Sequence, residues 1–444
     1  MSKYTAQLDH FDFNRRMTAL RAAAATTQFP PGNTLFNMHC HSFFSYNSEG
    51  WSPAHIAFNC AQRGLYAAAL CDFDVLDGLE EFYQASQLLG LRAAVHLETR
   101  AYVKEQAAVN ISSPGEPGVA YIMGCGFTYL PAPQSDAGKT LALLRQGAQH
   151  RNLALIDRIN HVLPAIAIDY QADVVPLTPK GVATERHIVH AYRMRANALF
   201  STSAARAAFW SPLLGCPAAR FAAIEANLPA FEDLIRNALA KRGGIGYIQP
   251  TEQTFPLADD FINWVKECDA IPTIAWLDGT SDGEADAEQL MDLMTGKGCA
   301  ALNIIPDRNW NIQDNSTAAI KQRKLNEIIQ ACVKRDIPVN IGTEMNKGGL
   351  PFVDDITGAV LNQYAGIFTA GAEIMVGHTV LTRYAAMPYT GWRAAEEFPG
   401  IKARNAFFAA VGALPPLTES ASDELLAATP EVAYRMLKDR QISR

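Results

Sequence analysis

Over the first hundred residues the apolar positions switch repeatedly between strand and helix spacing. Asn37-Met38-His39-Cys40-His41 reads as extended chain. Ser52-Pro53 then offers an N-cap followed by proline at the first helical position, after which Ile56, Ala57, Cys60 and Ala61 recur at helical spacing. Residues 65–70 are a short apolar run that ends in Cys71-Asp72-Phe73-Asp74. A second helix begins near Leu76, runs through Leu79, Phe82, Tyr83 and Leu88, and stops at Gly90, a natural C′ residue. Residues 91–95 form a third strand that continues to Glu98. Strands alternating with single helices predict parallel pairing, right-handed crossovers and strand C-termini on one face. His39, His41, Asp72 and Glu98 are then expected to converge there, as at the catalytic face of a β/α barrel.

Further along, residues 110–118 contain two prolines and two glycines and read as a loop before a strand over 119–127. Residues 136–246 are Ala-rich and mainly helical, broken at Pro164, 176–181 and 212–217, and are read as an inserted helical cap over the barrel mouth. Strands resume at 271–275, 301–305 and 337–341, with a helix over 317–334. The expected organisation is an N-terminal helical extension (1–33), an α/β barrel split over 34–135 and 247–400, the cap (136–246), and a C-terminal tail (401–444). In that tail Pro415-Pro416 separates two amphipathic helices.

Composition narrows the class. The 444 residues are 49% hydrophobic and 19% charged, with a net charge of −7. That suits one large core with insertions better than several independent domains. The mild acidity argues against a general nucleic-acid or membrane surface and leaves room for a local basic pocket. Eight scattered cysteines without a C-x-x-C pair point to a reduced chain and not a disulfide framework. The N-terminus, with Lys3, Asp9, Asp12 and Arg15-Arg16, has no apolar signal core, and no apolar span of about 18 residues occurs, so a cytoplasmic location is expected. Oligomeric state is left open.

The candidate chemistry lies at His39 and His41. Residues i and i+2 of a strand point to the same side, so one cation can take both imidazoles. Glu98 adds a carboxylate. Imidazole with carboxylate suits zinc, manganese or ferrous iron and fits calcium or magnesium poorly. Such an ion would activate a bound water for hydrolysis.

Met38-His39-Cys40-His41-Ser42, Cys71-Asp72-Phe73-Asp74 and Leu97-Glu98 resemble, in order and spacing, the first three strands of the polymerase and histidinol phosphatase (PHP) family. Arg186-His187, Ala275-Trp276-Leu277-Asp278-Gly279 and Gly342-Thr343-Glu344-Met345-Asn346 fall where that family has later motifs. The resemblance implies a distorted seven-stranded TIM-like barrel and metal-dependent hydrolysis of phosphate esters. Several ligand positions depart from the pattern. Tyr46, Phe73 and Asn346 replace one metal's usual ligands and Glu344 stands as a carboxylate where the family has aspartate, while Trp276 and the region of Tyr121 lack histidines that serve another. What remains, His39, His41, Glu98 and Glu344, implies one strong divalent transition metal. Asp72, Asp74 and Asp278 are expected to support ligands or to bind metal themselves, Asp278 having a turn role as its alternative. Arg100, Arg186, Lys180 and Lys347 are candidate phosphate ligands, and His187, or less directly His378, a candidate proton donor. The expected function is a phosphoesterase acting on a small phosphorylated metabolite. The alternatives are altered chemistry on a carbohydrate-like substrate, or metal and ligand binding without turnover.

Overall fold

Seven strands form one sheet in chain order: β1 (Phe36–Cys40), β2 (Ala67–Phe73), β3 (Arg92–Tyr102), β4 (Val119–Cys125), β5 (Ile271–Trp276), β6 (Ala301–Ile304) and β7 (Val339–Ile341). The computed structural model describes residues 4–442. The first three residues of the expected N-terminal extension and the last two of the tail lie outside it. The sheet curls until its ends meet beyond β7. Glu344 N donates to His39 O and His41 N donates to Glu344 O, both at 2.8 Å. Asn340 Nδ2 adds a bond to Met38 O. The result is an almost closed, distorted TIM-like barrel.

The strands are mostly apolar and buried because helices cover the outside while side chains fill the inside. Helix Pro53–Gln62 starts at Ser52, whose hydroxyl accepts from His55 N, and helix Leu79–Leu89 ends at Gly90 with φ +64°. The parallel expectation holds for β1–β2–β3 and for β5–β6–β7, whereas β4 runs antiparallel to both of its neighbours. The cause is the connection. Between β3 and β4 there is only a short 3₁₀ turn, Lys104–Gln106, and a loop, with no crossover helix to return the chain to the starting end.

The 136–246 segment contains helices Asp136–Val162, Glu185–Leu199, Ser203–Leu214, Ala218–Ala226 and Leu228–Leu239. They bury a hydrophobic cluster of their own around Ile159, Tyr192, Trp210, Phe221 and Phe231, distinct from the barrel core. Helix Phe13–Thr26 packs on helices Pro53–Gln62 and Leu79–Leu89. Arg16 pairs with Glu81 while both are buried, and Glu81 Oε1 also accepts from Ala54 N at 3.1 Å. The tail holds three helices and not the expected two: Ile401–Gly412, Glu419–Ala427 and Pro430–Ile442. The extra break falls at Thr429-Pro430, since a residue before proline avoids helical angles and the Thr429 hydroxyl caps the next helix through Val432 N. Among the described residues no helix is long and apolar enough to cross a membrane.

The loop after β7 carries Asp354, which is 3% exposed. Trp310 Nε1 donates to its Oδ1 at 3.2 Å, and Oδ2 has no partner. Burial, with Asp307 adding repulsion, pushes its pKa up to about 7. The folded chain therefore keeps a proton that the unfolded chain loses near pH 4. Stability should fall as pH rises from about 4 to about 7, by a few kcal/mol at ~1.4 kcal/mol per pH unit for one group. Urea melts across that range should show the slope, and Asp354→Asn should flatten it. An unchanged slope would mean that Asp354 is ionised in the folded state.

Candidate metal centre

β1 ends by placing two imidazoles inside the barrel mouth, and β3 brings a carboxylate to them. His39 Nε2 and His41 Nε2 each lie 3.6 Å from Glu98 Oε2. All three residues are at most 3% exposed. Among the described residues they are the one group of three His, Cys, Asp or Glu side chains whose ligand atoms lie within 4.8 Å of each other. The same three atoms have no hydrogen-bond partner. Buried polar atoms are nearly always satisfied, so three that converge unpaired fit a cation between them. Burial alone would raise the Glu98 carboxyl, but the two histidines hold it down at about 2. His39 is held above its ordinary value because Glu98 and Glu344 outweigh its burial.

Each imidazole is oriented from behind. Ser45 Oγ donates to Asp72 Oδ1 at 2.7 Å, which leaves its oxygen to accept from His41 Nδ1 at 3.1 Å. His41 therefore carries a proton on Nδ1 and turns its Nε2 to Glu98. Asp72 is held in turn by Ser42 N and Ser42 Oγ, at 2.8 and 2.7 Å. It ties down the loop after β1 and does not face the cation position. Behind His39, the Asn303 carboxamide lies 3.0 Å from Nδ1 and takes Asn340 Nδ2 at 2.9 Å. The carboxamide turns its nitrogen to Nδ1, since its oxygen is taken by Asn340 Nδ2. Phe73 lies flat against His41, with centroids 4.6 Å apart and planes at 17°. An aromatic face thus fills space beside the site where a further ligand could have stood.

The other expected residues are spread around a cavity of about 790 Å³ that the barrel mouth shares with the 136–246 helices. Glu344 lines it in a left-handed backbone conformation, φ +62°, with its carboxylate directed to Arg308 at 3.2 Å. Asp74 is also left-handed, φ +58°, and pairs with Arg151 at 3.1 Å and with the Thr99 hydroxyl. Arg100 pairs with Glu116, while Arg186 and Lys347 share Asp233. All of these side chains line the cavity. Asp278 does not. It closes a turn through Thr280 and pairs with Lys321 at 2.9 Å. Lys180 is exposed and away from the cavity lining.

Neither expected proton donor faces the cavity. His187 Nδ1 accepts from Thr184 N at the start of its helix, and burial lowers its pKa to about 3. His378 Nε2 donates to Gly126 O at 3.1 Å and its Nδ1 accepts from Tyr389 N. Burial holds it neutral, near 4.

Four contributors escaped the sequence reading. Arg308 follows β6, Ser45 lies four residues past His41, and Asn303 and Asn340 are polar residues inside apolar strands. Those two asparagines were the readable signal, because a central strand keeps a polar side chain only when something inside the barrel answers it.

No protein-family model matches this chain, and no curated protein is significantly similar to it. Among solved structures it is similar to a "putative metal-dependent phosphoesterase" from Bifidobacterium adolescentis, at 18% identity and a TM-score of 0.46, covering 77% of this chain and 98% of that one. It is also similar to an amidohydrolase from Chromobacterium violaceum with bound sulfate and no metal, at 15% identity and a TM-score of 0.47, covering 73% and 92%.

The support behind His41 can be tested directly. Ser45→Ala removes the acceptor for Nδ1–H and should weaken metal binding about 10- to 100-fold, read by competition with a chromogenic chelator. Unchanged affinity would show that the Asp72–Ser45–His41 chain does not orient a ligand.

Proposed function

We propose that this protein is a metal-dependent hydrolase of the PHP type that cleaves a phosphate ester of a small metabolite. The observation that carries this reading is the convergence of three buried, unpartnered ligand atoms on one wall of a cavity rich in guanidinium groups. His39 Nε2, His41 Nε2 and Glu98 Oε2 would hold a single zinc, manganese or ferrous ion. When bound, the ion would supply Lewis acidity and an activated water.

The remaining work falls to the chain's own side chains. Eight cationic residues and seven carboxylates line the cavity, and once Glu98 is committed to a cation the rest carry excess positive charge. That favours an anionic substrate. Arg308 is the nearest candidate to orient a phosphoryl group, because Glu344 holds it beside Glu98 while its Nε has no partner. A planar guanidinium can bind two phosphoryl oxygens at once. Tyr121 also lines the cavity, and burial keeps its hydroxyl protonated and able to donate. The 136–246 helices act as the cap that limits access to water and selects the substrate, with Arg186 and Arg151 reaching from them into the cavity.

With Mn²⁺ or Zn²⁺ the purified protein should hydrolyse an aryl phosphate. Arg308→Ala should lower kcat/KM about 10- to 100-fold, equivalent to the ~1.5–3 kcal/mol of a charged hydrogen bond. Glu98→Ala should fall to the uncatalysed background. Metal bound at full occupancy without turnover of any phosphate ester would leave a metal-binding protein and remove the phosphoesterase reading.

A further inference from the structure

Where β3 meets the 136–246 helices, the cavity wall carries a second group of charges, apart from the imidazoles. Arg236 Nε donates to Glu185 Oε1 at 2.6 Å, and Lys241 Nζ lies 2.6 Å from the same oxygen. One carboxylate oxygen thus answers two cations. Arg100 is close enough to act electrostatically on both Glu185 and Lys241, and its own partner Glu116 also takes the Ser113 hydroxyl. Phe255 stands between Arg100 and Arg151, whose guanidinium carbons lie 4.4 and 4.8 Å from the ring centroid, and Arg151 turns to Asp74.

Four cations here face three carboxylates. Burial presses Lys241 below its ordinary pKa, and Arg236 and Arg100 add to that pressure against the pull of Glu185. Excess positive charge on a partly desolvated wall is costly until an anion completes it. The cluster lies beyond the metal ligands along the cavity wall: Arg100 stands two residues past Glu98 on β3, and Arg236 and Lys241 belong to the 136–246 segment. Tyr121 lies within electrostatic range of Glu98 and also of Arg100, Arg236 and Glu185. A cavity of about 790 Å³ has room for a whole metabolite, of which one phosphoryl group fills a small part.

We propose that Arg100, Arg236 and Lys241 bind a second anionic group of the substrate, a phosphate or carboxylate at the end remote from the ester cleaved beside His39, His41 and Glu98. The cap then measures substrate length as well as charge. Glu185 holds the two cations in place until the ligand's anion joins them. This inference rests on the phosphoesterase reading for the identity of the cleaved end, and its test is separable from that reading because it measures binding.

Calorimetric titration of the full-length protein would compare alkanediol bisphosphates and ω-carboxyalkyl phosphates of graded length with the matching alkyl monophosphates. The two-headed ligands should bind about tenfold tighter at the length that spans the cavity, with the better of the two series identifying the second anion. Arg236→Ala should lose that margin. Glu185→Gln, which frees both cations from their competing carboxylate, should widen it several-fold, a gain that a misfolded variant cannot imitate. Equal affinity for one-headed and two-headed ligands at every length would overturn the proposal. A two-headed preference without hydrolysis would keep the subsite and remove the phosphoesterase reading, and aryl phosphate turnover without the preference would do the reverse.

Discussion

The site depends on the seam where the barrel closes. Two backbone hydrogen bonds, Glu344 N to His39 O and His41 N to Glu344 O, join the end of β1 to the chain beyond β7, and they are made by the residues of the site itself. The seam is tight at Gly342, where a Cβ would sit 2.3 Å from His39 N and 2.5 Å from His39 Cβ. Only glycine admits that approach. Beyond it Glu344 and Met345 both take left-handed conformations, φ +62° and +56°, at a cost on the order of 1–3 kcal/mol each that the surrounding hydrogen bonds must offset. Strain kept beside the candidate ligands is consistent with a backbone shaped by the site.

Electrostatics organises what the seam positions. Glu98 is buried with two imidazoles and stays ionised because of them, so the barrel mouth holds a negative charge that a cation can neutralise. Around it the cavity wall turns positive towards the 136–246 helices, where guanidinium groups are held by carboxylates that only partly balance them. A negative centre for a cation set inside a positive rim for an anion suits the proposed phosphate ester hydrolysis, in which a metal and the protein cations would share the charge of the attacked group.

Much of the barrel was legible in the sequence. The alternation of strand and helix spacing with Ser52-Pro53 and Gly90 as punctuation located β1–β3 and both intervening helices, since caps and proline act locally. The reversal of β4 was not legible, because strand direction is set by how the connecting loop packs and not by the strand's own residues. In the site, His39, His41 and Glu98 were readable as same-face residues at strand ends, and the structure brings them together. Arg308 and Ser45 were not, because a lone arginine or serine past a strand has no periodic signature. His187, from its place in a motif, and His378, from its residue type, looked like candidate acid catalysts, yet their nitrogens bond to backbone groups, and only the three-dimensional packing reveals that. Asp278 was read with a turn as its alternative, and a turn is where it stands.

The central claim is that His39, His41 and Glu98 form a mononuclear transition-metal site, with Phe73 lying against His41 and Trp276 lining the cavity where other ligands could have stood. The most direct measurement is the metal content of protein purified without added metal or chelator, by inductively coupled plasma mass spectrometry. The structure leads to about one zinc, manganese or iron per chain. Two or three ions per chain would mean that other side chains complete a cluster, and no bound metal, even after incubation with these ions, would contradict the site altogether.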